Sequence, residues 1–216
     1  FDAMQPYHYR LVASNGVGTA TSAVASYLPP SGGTSLKTRG STVADDASAI
    51  YRIDAPGQAS DPVNALASDA VAAQALFLDY AGDSEIALGT GQTLTLGILG
   101  VGEAGGNLTL SGGGTLVAAR SPFGVTVDTP ASCLKVDAAA SGAGLLTKNG
   151  GGRLELNGGH SGFTKFTVNA GVLSAANASA ANAPLLSGTG TVEKRFSTMM
   201  VVPLRDPCSV TPRMAP

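Results

Sequence analysis

Apolar residues in this chain fall on alternate positions in short runs, and glycine, asparagine, aspartate, serine or threonine separates one run from the next. The pattern is sharpest over 144–173, GLLTKNGGGRLELNGGHSGFTKFTVNAGVL. There Leu154 and Leu156 share one face and Arg153 and Glu155 the other, bounded by Gly150-Gly151-Gly152 and Gly158-Gly159. A period of two is a strand signal, and helical spacing does not fit. Glycine also costs a helix about 1 kcal/mol per interior position relative to alanine. From residue 84 the rhythm recurs as EIAL, TLTL, NLTL, TLVA, VTV, LKV, LLT, RLEL, FTV, VLSA and LLS.

No gap between these cores holds the roughly 10–15 helical residues that a βαβ crossover needs. Two all-β architectures remain: an antiparallel sandwich, or a parallel β-helix whose coils each contribute two or three short strands. Hydrophobic residues make up 44% of the chain, aromatics only 5%, and tryptophan is absent. Stacking small apolar side chains coil upon coil needs few aromatics and tolerates glycine corners. The parallel β-helix, a solenoid, is therefore the predicted fold over 41–192.

The flanks read differently. Residues 1–27 predict an antiparallel hairpin, with Tyr7, Tyr9, Leu11 and Ala13 on one face and a turn at Ser14-Asn15-Gly16. Residues 28–40, LPPSGGTSLKTRG, read as a linker. Residues 41–61 are compatible with a capped helical turn or an extended segment. The alanine-rich 67–80 could form a helix, but Leu76, Leu78 and Tyr80 alternate, so a strand is expected over about 71–79. The last stretch, 193–216, loses the glycine corners and gains Pro203, Pro207, Pro212 and Pro216. Each proline removes a ladder donor, so an irregular or disordered tail is expected.

Charge and cysteine narrow the function. Charged residues make up 13%, against roughly 25% in average soluble domains. With a net charge of −2 and basic residues scattered, nothing resembles a nucleic-acid footprint. Cys133 and Cys208 alone make neither a disulfide framework nor a zinc site. Cys133, in the apolar CLKV, reads as a buried thiol, and a bridge to Cys208 has no support. No apolar run reaches the roughly 18–20 residues that span a bilayer. The chain opens on Phe1 without a signal-peptide pattern, which reads as a segment of a longer polypeptide whose targeting signal lies elsewhere.

Candidate chemistry is sparse. Gly100-Val101-Gly102-Glu103-Ala104-Gly105 fits G-x-G-x-x-G, but a dinucleotide site needs a helix after the third glycine, and Gly106-Asn107-Leu108-Thr109-Leu110 cannot supply one. Gly112-Gly113-Gly114-Thr115-Leu116 and Gly150-Gly151-Gly152-Arg153-Leu154 lack the aspartate of calcium-binding glycine repeats. Carbohydrate-cleaving β-helices need carboxylates gathered on one face. Here Asp128, Asp137 and Glu155 each stand alone on their strands, and Asp45 and Asp46 point to opposite sides. His8 falls on the hairpin and His160 at a glycine corner. No catalytic set can be assembled from these residues. Thr109, Thr115, Thr126, Thr167 and Thr191 are explained by strand propensity, with an outward array for sugars or ice as the alternative. No catalytic, cofactor or metal residue is assigned, and no cofactor is expected.

Two resemblances add to this reading. Tyr7, Leu11, Ala13, Asn15 and Gly18 resemble the last two strands of a fibronectin type III domain, which would make Tyr7 its corner tyrosine. Lys148-Asn149-Gly150-Gly151-Gly152-Arg153-Leu154-Glu155-Leu156-Asn157-Gly158, followed by Thr167-Val168-Asn169-Ala170-Gly171-Val172-Leu173, resembles the autotransporter-associated β-strand repeat, K-T-G-x-G-x-L-x-L-x-G and then T-V-N-A-G-x-L. Ser161 stands where the family shows an aromatic, and the stretch from Phe163 to Phe166 is about two residues longer than usual. The close match covers about thirty residues, with 84–143 and 185–192 as degenerate copies. The resemblance implies a right-handed parallel β-helix in a passenger region, extracellular or on the cell surface and associated with the outer membrane of a Gram-negative-type bacterium. The expected role is a non-catalytic, monomeric stalk or spacer of a secreted or surface-displayed protein that supports adhesion to host or environmental surface glycans or proteins. The competing expectations are a carbohydrate-active β-helix enzyme, lyase or glycosidase, and a glycan-binding adhesin.

Overall fold

The computed structural model describes residues 33–176 and 185–195, together with four short strands near the start of the chain. Those four are β1 (Tyr7–Tyr9), β2 (Val12–Asn15), β3 (Gly18–Thr21) and β4 (Ala25–Tyr27). β1 pairs antiparallel with β4, and β2 with β3, so they form one hairpin, as the alternation predicts. Two nested strand pairs do not distinguish a fibronectin type III end from any other hairpin. Side chains of this hairpin, Tyr7 and His8 among them, lie outside the described residues, as do Cys208 and the rest of 196–216.

The remaining strands follow in chain order. They begin with β5 (Thr34–Lys37), β6 (Thr42–Val43), β7 (Asp46–Ala55), β8 (Asn64–Leu66), β9 (Ala70–Leu78), β10 (Ser84–Leu88), β11 (Thr93–Val101) and β12 (Asn107–Gly112). They continue with β13 (Thr115–Ala118), β14 (Phe123–Val127), β15 (Cys133–Val136), β16 (Ala139–Asn149), β17 (Arg153–Leu156), β18 (His160–Val168), β19 (Val172–Ala176), β20 (Leu185–Gly188) and β21 (Thr191–Arg195). One sheet runs β21-β19-β17-β15-β12-β10-β8-β6 and the other β20-β18-β16-β13-β11-β9-β7-β5, with β14 bridging β11 and β16. Every pairing in both sheets is parallel, which rules out the antiparallel sandwich. Strands β5–β21 form an all-β parallel solenoid of about six turns.

Register explains why leucine recurs where it does. Ile86, Leu110, Val136, Leu156 and Ala175 are successive partners, one per coil, and all are buried. Leu108, Leu134, Leu154 and Leu173 make a second ladder beside them. Each inward position therefore meets its counterpart from the coil above and below, and two narrow sheets share a dry interior without large rings. Between the sheets Leu99, Leu116, Val125, Leu146 and Phe163 line a void of about 10 Å³, room for at most one water.

The long strands bend. In β9 the inward residues are Val71 and Ala73, then Leu76 and Leu78; in β11 they are Leu94 and Leu96, then Leu99 and Val101. The alternation slips phase at Gln74 and Gly97, so each long strand contributes to two walls and the coil has three. In the next coil the same bend separates β13 from β14. Corners close with glycine where a side chain has no room. Gly171 has φ +69°, and a Cβ there would lie 2.2 Å from the Gly152 carbonyl oxygen of the coil below.

Two boundaries differ from the sequence expectation. The solenoid opens at Thr34, inside the expected 28–40 linker: Thr34, Ser35 and Leu36 pair with Tyr51, Arg52 and Ile53, and Leu36 is buried. Its prolines and glycines hide a single inward leucine, too short a signal for alternation to show. The ladder also passes residue 193, where the tail was expected to begin, because Glu193, Lys194 and Arg195 pair with Ser174, Ala175 and Ala176. Residues 46–55 and 70–78 are extended throughout, which resolves the helix-or-strand ambiguity in favour of strand. Where β16 meets β18 the register shifts on either side of Gly144, and the two shifts cancel, since Ala140 pairs with His160 and Leu145 with Lys165.

Candidate functional site

The chemistry-bearing side chains collect at the corner that follows the third wall. Leu78, Val101 and Val127 are partners in successive coils, and the ladder runs one residue further through Asp79 N–H to Ile53 O, Gly102 N–H to Leu78 O and Asp128 N–H to Val101 O. Asp79, Gly102 and Asp128 therefore stack, with Glu103 beside Gly102. At Gly102 the Asp79 carboxylate reaches into the space beside the backbone. Asp79 is ion-paired with Arg52 from the coil below.

This corner shifts two pKa values. The Asp128 carboxyl is pushed up to about 6, first by burial and then by the negative charge of Glu103; Lys148 pulls it back down, and Asp79 adds the least. Lys148 approaches from inside the tube. It occupies an inward ladder position between Val125 and Val168, is fully buried, and its ammonium is brought down to about 8 by that burial. Its Nζ donates to the carbonyl oxygens of Asn149 at 2.6 Å, Gly150 at 2.7 Å and Ala170 at 3.4 Å. Those carbonyls face away from the strand ladder at a glycine corner, so the lysine ties two successive corners together. A buried charge is tolerable only with such partners.

The carboxylates thus differ from the sequence reading. Asp128 was expected to stand alone, yet stacking brings it into the field of Asp79 and Glu103, residues about 25 to 50 positions away in sequence. Alternation within one strand carries no information about which residues stack from other coils. Asp137 and Glu155 have local structural partners: Asn157 Nδ2 donates to Asp137 at 2.8 Å, and Glu155 lies 3.7 Å from Arg153. Asp45 accepts from the Ala72 amide and Asp46 from Ser48, bonds that fasten strand ends. Among the described residues no group of three or more His, Cys, Asp or Glu is arranged to hold a metal ion.

Other candidates resolve into structure. Gly100–Gly105 straddles the end of β11 and a turn into β12, with no helix behind it. Cys133, expected as a buried thiol, instead points outward and is only half-buried, because Leu134 and Val136 take the inward positions of CLKV. Burial, then the charge of Glu155, pushes its pKa up, away from a reactive thiolate. His160 packs edge-on against Phe166 at 5.1 Å, its Nε2 buried without a hydrogen-bond partner, and burial lowers its pKa. The five threonines fall in five separate ladders: Thr109 lies between Glu85 and Lys135, and Thr126 between Gly100 and Asn149. They do not form an array.

No protein-family model matches the chain, and neither the curated proteins nor the solved structures contain a match to it.

Proposed function

We propose that this chain is a non-catalytic structural stalk, a spacer segment of a large secreted or surface-displayed bacterial protein of the autotransporter-like kind. The observation that carries the reading is the unbroken parallel ladder from β5 and β6 to β20 and β21. Its polar side chains are spent on joining coil to coil: Asn107 to Asp83, Asn157 to Asp137, Asn169 to Asn149, and Arg153 to Glu193 two coils away. Such bonds stiffen a rod and leave few groups facing a substrate. The resemblance of 148–173 to passenger repeats supports an extracellular or cell-surface setting, with adhesion to surface glycans or proteins carried by other parts of the polypeptide.

Single-molecule pulling on the full chain tests this. A stalk yields in steps of one coil, roughly 20 residues and so about 70 Å of contour at about 3.3–3.6 Å per residue. A panel of polysaccharides and a glycan array supply the counter-test. Turnover of any polysaccharide, or retention of a glycan by the isolated chain, overturns the passive reading. The raised Asp128 carboxyl is the observation favouring the enzyme alternative, since a general acid needs such a group. Turnover abolished by Asp128→Asn would establish that alternative.

A further inference from the structure

The outer face of the third wall is shielded from solvent over β9 and β11, whereas further along the same wall Gly124, Leu145, Thr147 and Thr167 are half-exposed and Lys165 is exposed. Ala75 and Phe77 are 2% exposed and Ile98 3%, although each alternates with the inward Leu76, Leu78 and Leu99. Together they form an apolar cluster separate from the interior core, with Ile50 packed against it. Ile50, Ala75 and Ile98 stack in register, and the Arg52 guanidinium lies 5.6 Å from the Phe77 ring centroid, held there by Asp79. Phe77 leans over Gly100, where a Cβ would lie 2.8 Å from the ring.

We propose that this patch is the docking surface for the amino-terminal hairpin of the same chain, β1–β4. The path of the chain carries the assignment. A Cβ on Gly33 would lie 3.0 Å from the Ile50 carbonyl oxygen and 3.3 Å from the Arg52 side chain, so the polypeptide enters the solenoid at the patch's border. β4 ends at Tyr27, and the segment to Gly33 spans at most about 20 Å at about 3.3–3.6 Å per residue. A two-stranded hairpin is marginally stable alone in water and gains most from an apolar surface. Its sequence carries Tyr7, Tyr9, Leu11 and Tyr27, side chains whose chemistry suits an apolar surface. A tether this short holds it at an effective concentration of about millimolar. The hairpin thereby covers outward residues of β7, β9 and β11, and fixes its own direction relative to the rod.

Hydrogen exchange on the full chain tests the proposal, comparing wild type with Phe77→Ser and with the milder Ile98→Thr. The expected result is protection of amides in 7–27 in the wild type, lost at least tenfold in either variant, while amides of β12, β15 and β17 keep theirs. That last readout shows that the variant still folds. A wild-type hairpin that exchanges freely, or protection indifferent to both substitutions, overturns the proposal. Protection transferred to 196–216 would give the patch to the carboxy-terminal segment and overturn it equally. Sedimentation of both proteins completes the set: a wild-type dimer that becomes monomeric on Phe77→Ser assigns the patch to a second copy.

Discussion

Lys148 and Asp128 are two coupled charges at one corner, and their shifts run in opposite directions. Asp128 is raised to about 6, so between its ordinary value near 3.8 and pH 6 the folded chain binds more protons than the unfolded one. Stability from this group is full below pH 3.8 and falls as pH rises through 6. Lys148 is lowered to about 8 from an ordinary 10.5, so between those values the unfolded chain holds the extra proton and stability rises with pH. His160, also lowered by burial, contributes stability above pH 6.5 that is lost on acidification, the opposite sign to Asp128. Denaturant melts from pH 4 to 10.5 should show the Asp128 decline removed by Asp128→Asn and the alkaline rise removed by Lys148→Met. Persistence of the alkaline rise in Lys148→Met would place its source elsewhere.

At the scale of one strand, the two faces of β17 should differ sharply. Leu156 is 2% exposed and stacks between Val136 and Ala175, whereas Glu155 is on the outside, 3.7 Å from an arginine whose closer partner is Glu193. Removing a buried leucine costs about 2–5 kcal/mol, and a carboxylate in its place adds a desolvation cost. Leu156→Asp should therefore unfold the coils around β17. Glu155→Ala removes a surface pair worth about 0–1 kcal/mol. Equal midpoints for the two variants in denaturant would refute the face assignment. This much of β17 was legible from LEL between glycines. The walls of β9 and β11 were not: alternation that slips phase at Gln74 and Gly97 looks like a blurred strand until the bend explains it.

Among the described residues backbone pairing joins each coil only to its neighbours, and the Arg153–Glu193 pair reaches one coil further, so stability should be close to a sum of coil and interface terms. Leu134 is the partner of Leu154, which makes 134–153 one coil. Excising 134–153 should leave an all-β chain with the ladder rejoined, shorter by one interstrand spacing of about 4.8 Å. Circular dichroism and small-angle scattering read both consequences. Collapse to a disordered chain would show that some coil is not interchangeable, and the Lys148 corner, which reaches the carbonyl of Ala170, would be the first place to look.

The residue order alone determined that the chain is built of strands, that glycine marks the corners, and which residues of LKV, RLEL and VLSA face inward. Those properties are local: they follow from a period of two and from the lack of room for a Cβ at a tight turn. Stacking decided the rest, because contacts between coils join residues about 20 or more positions apart whose spacing varies from coil to coil. It put Asp128 in the field of Asp79 and Glu103, and set Cys133 beside Arg153. It also split the threonines among separate ladders and shielded Phe77 on an outer wall. Each of these depends on which coil lies above which, and alternation along one strand contains no trace of it.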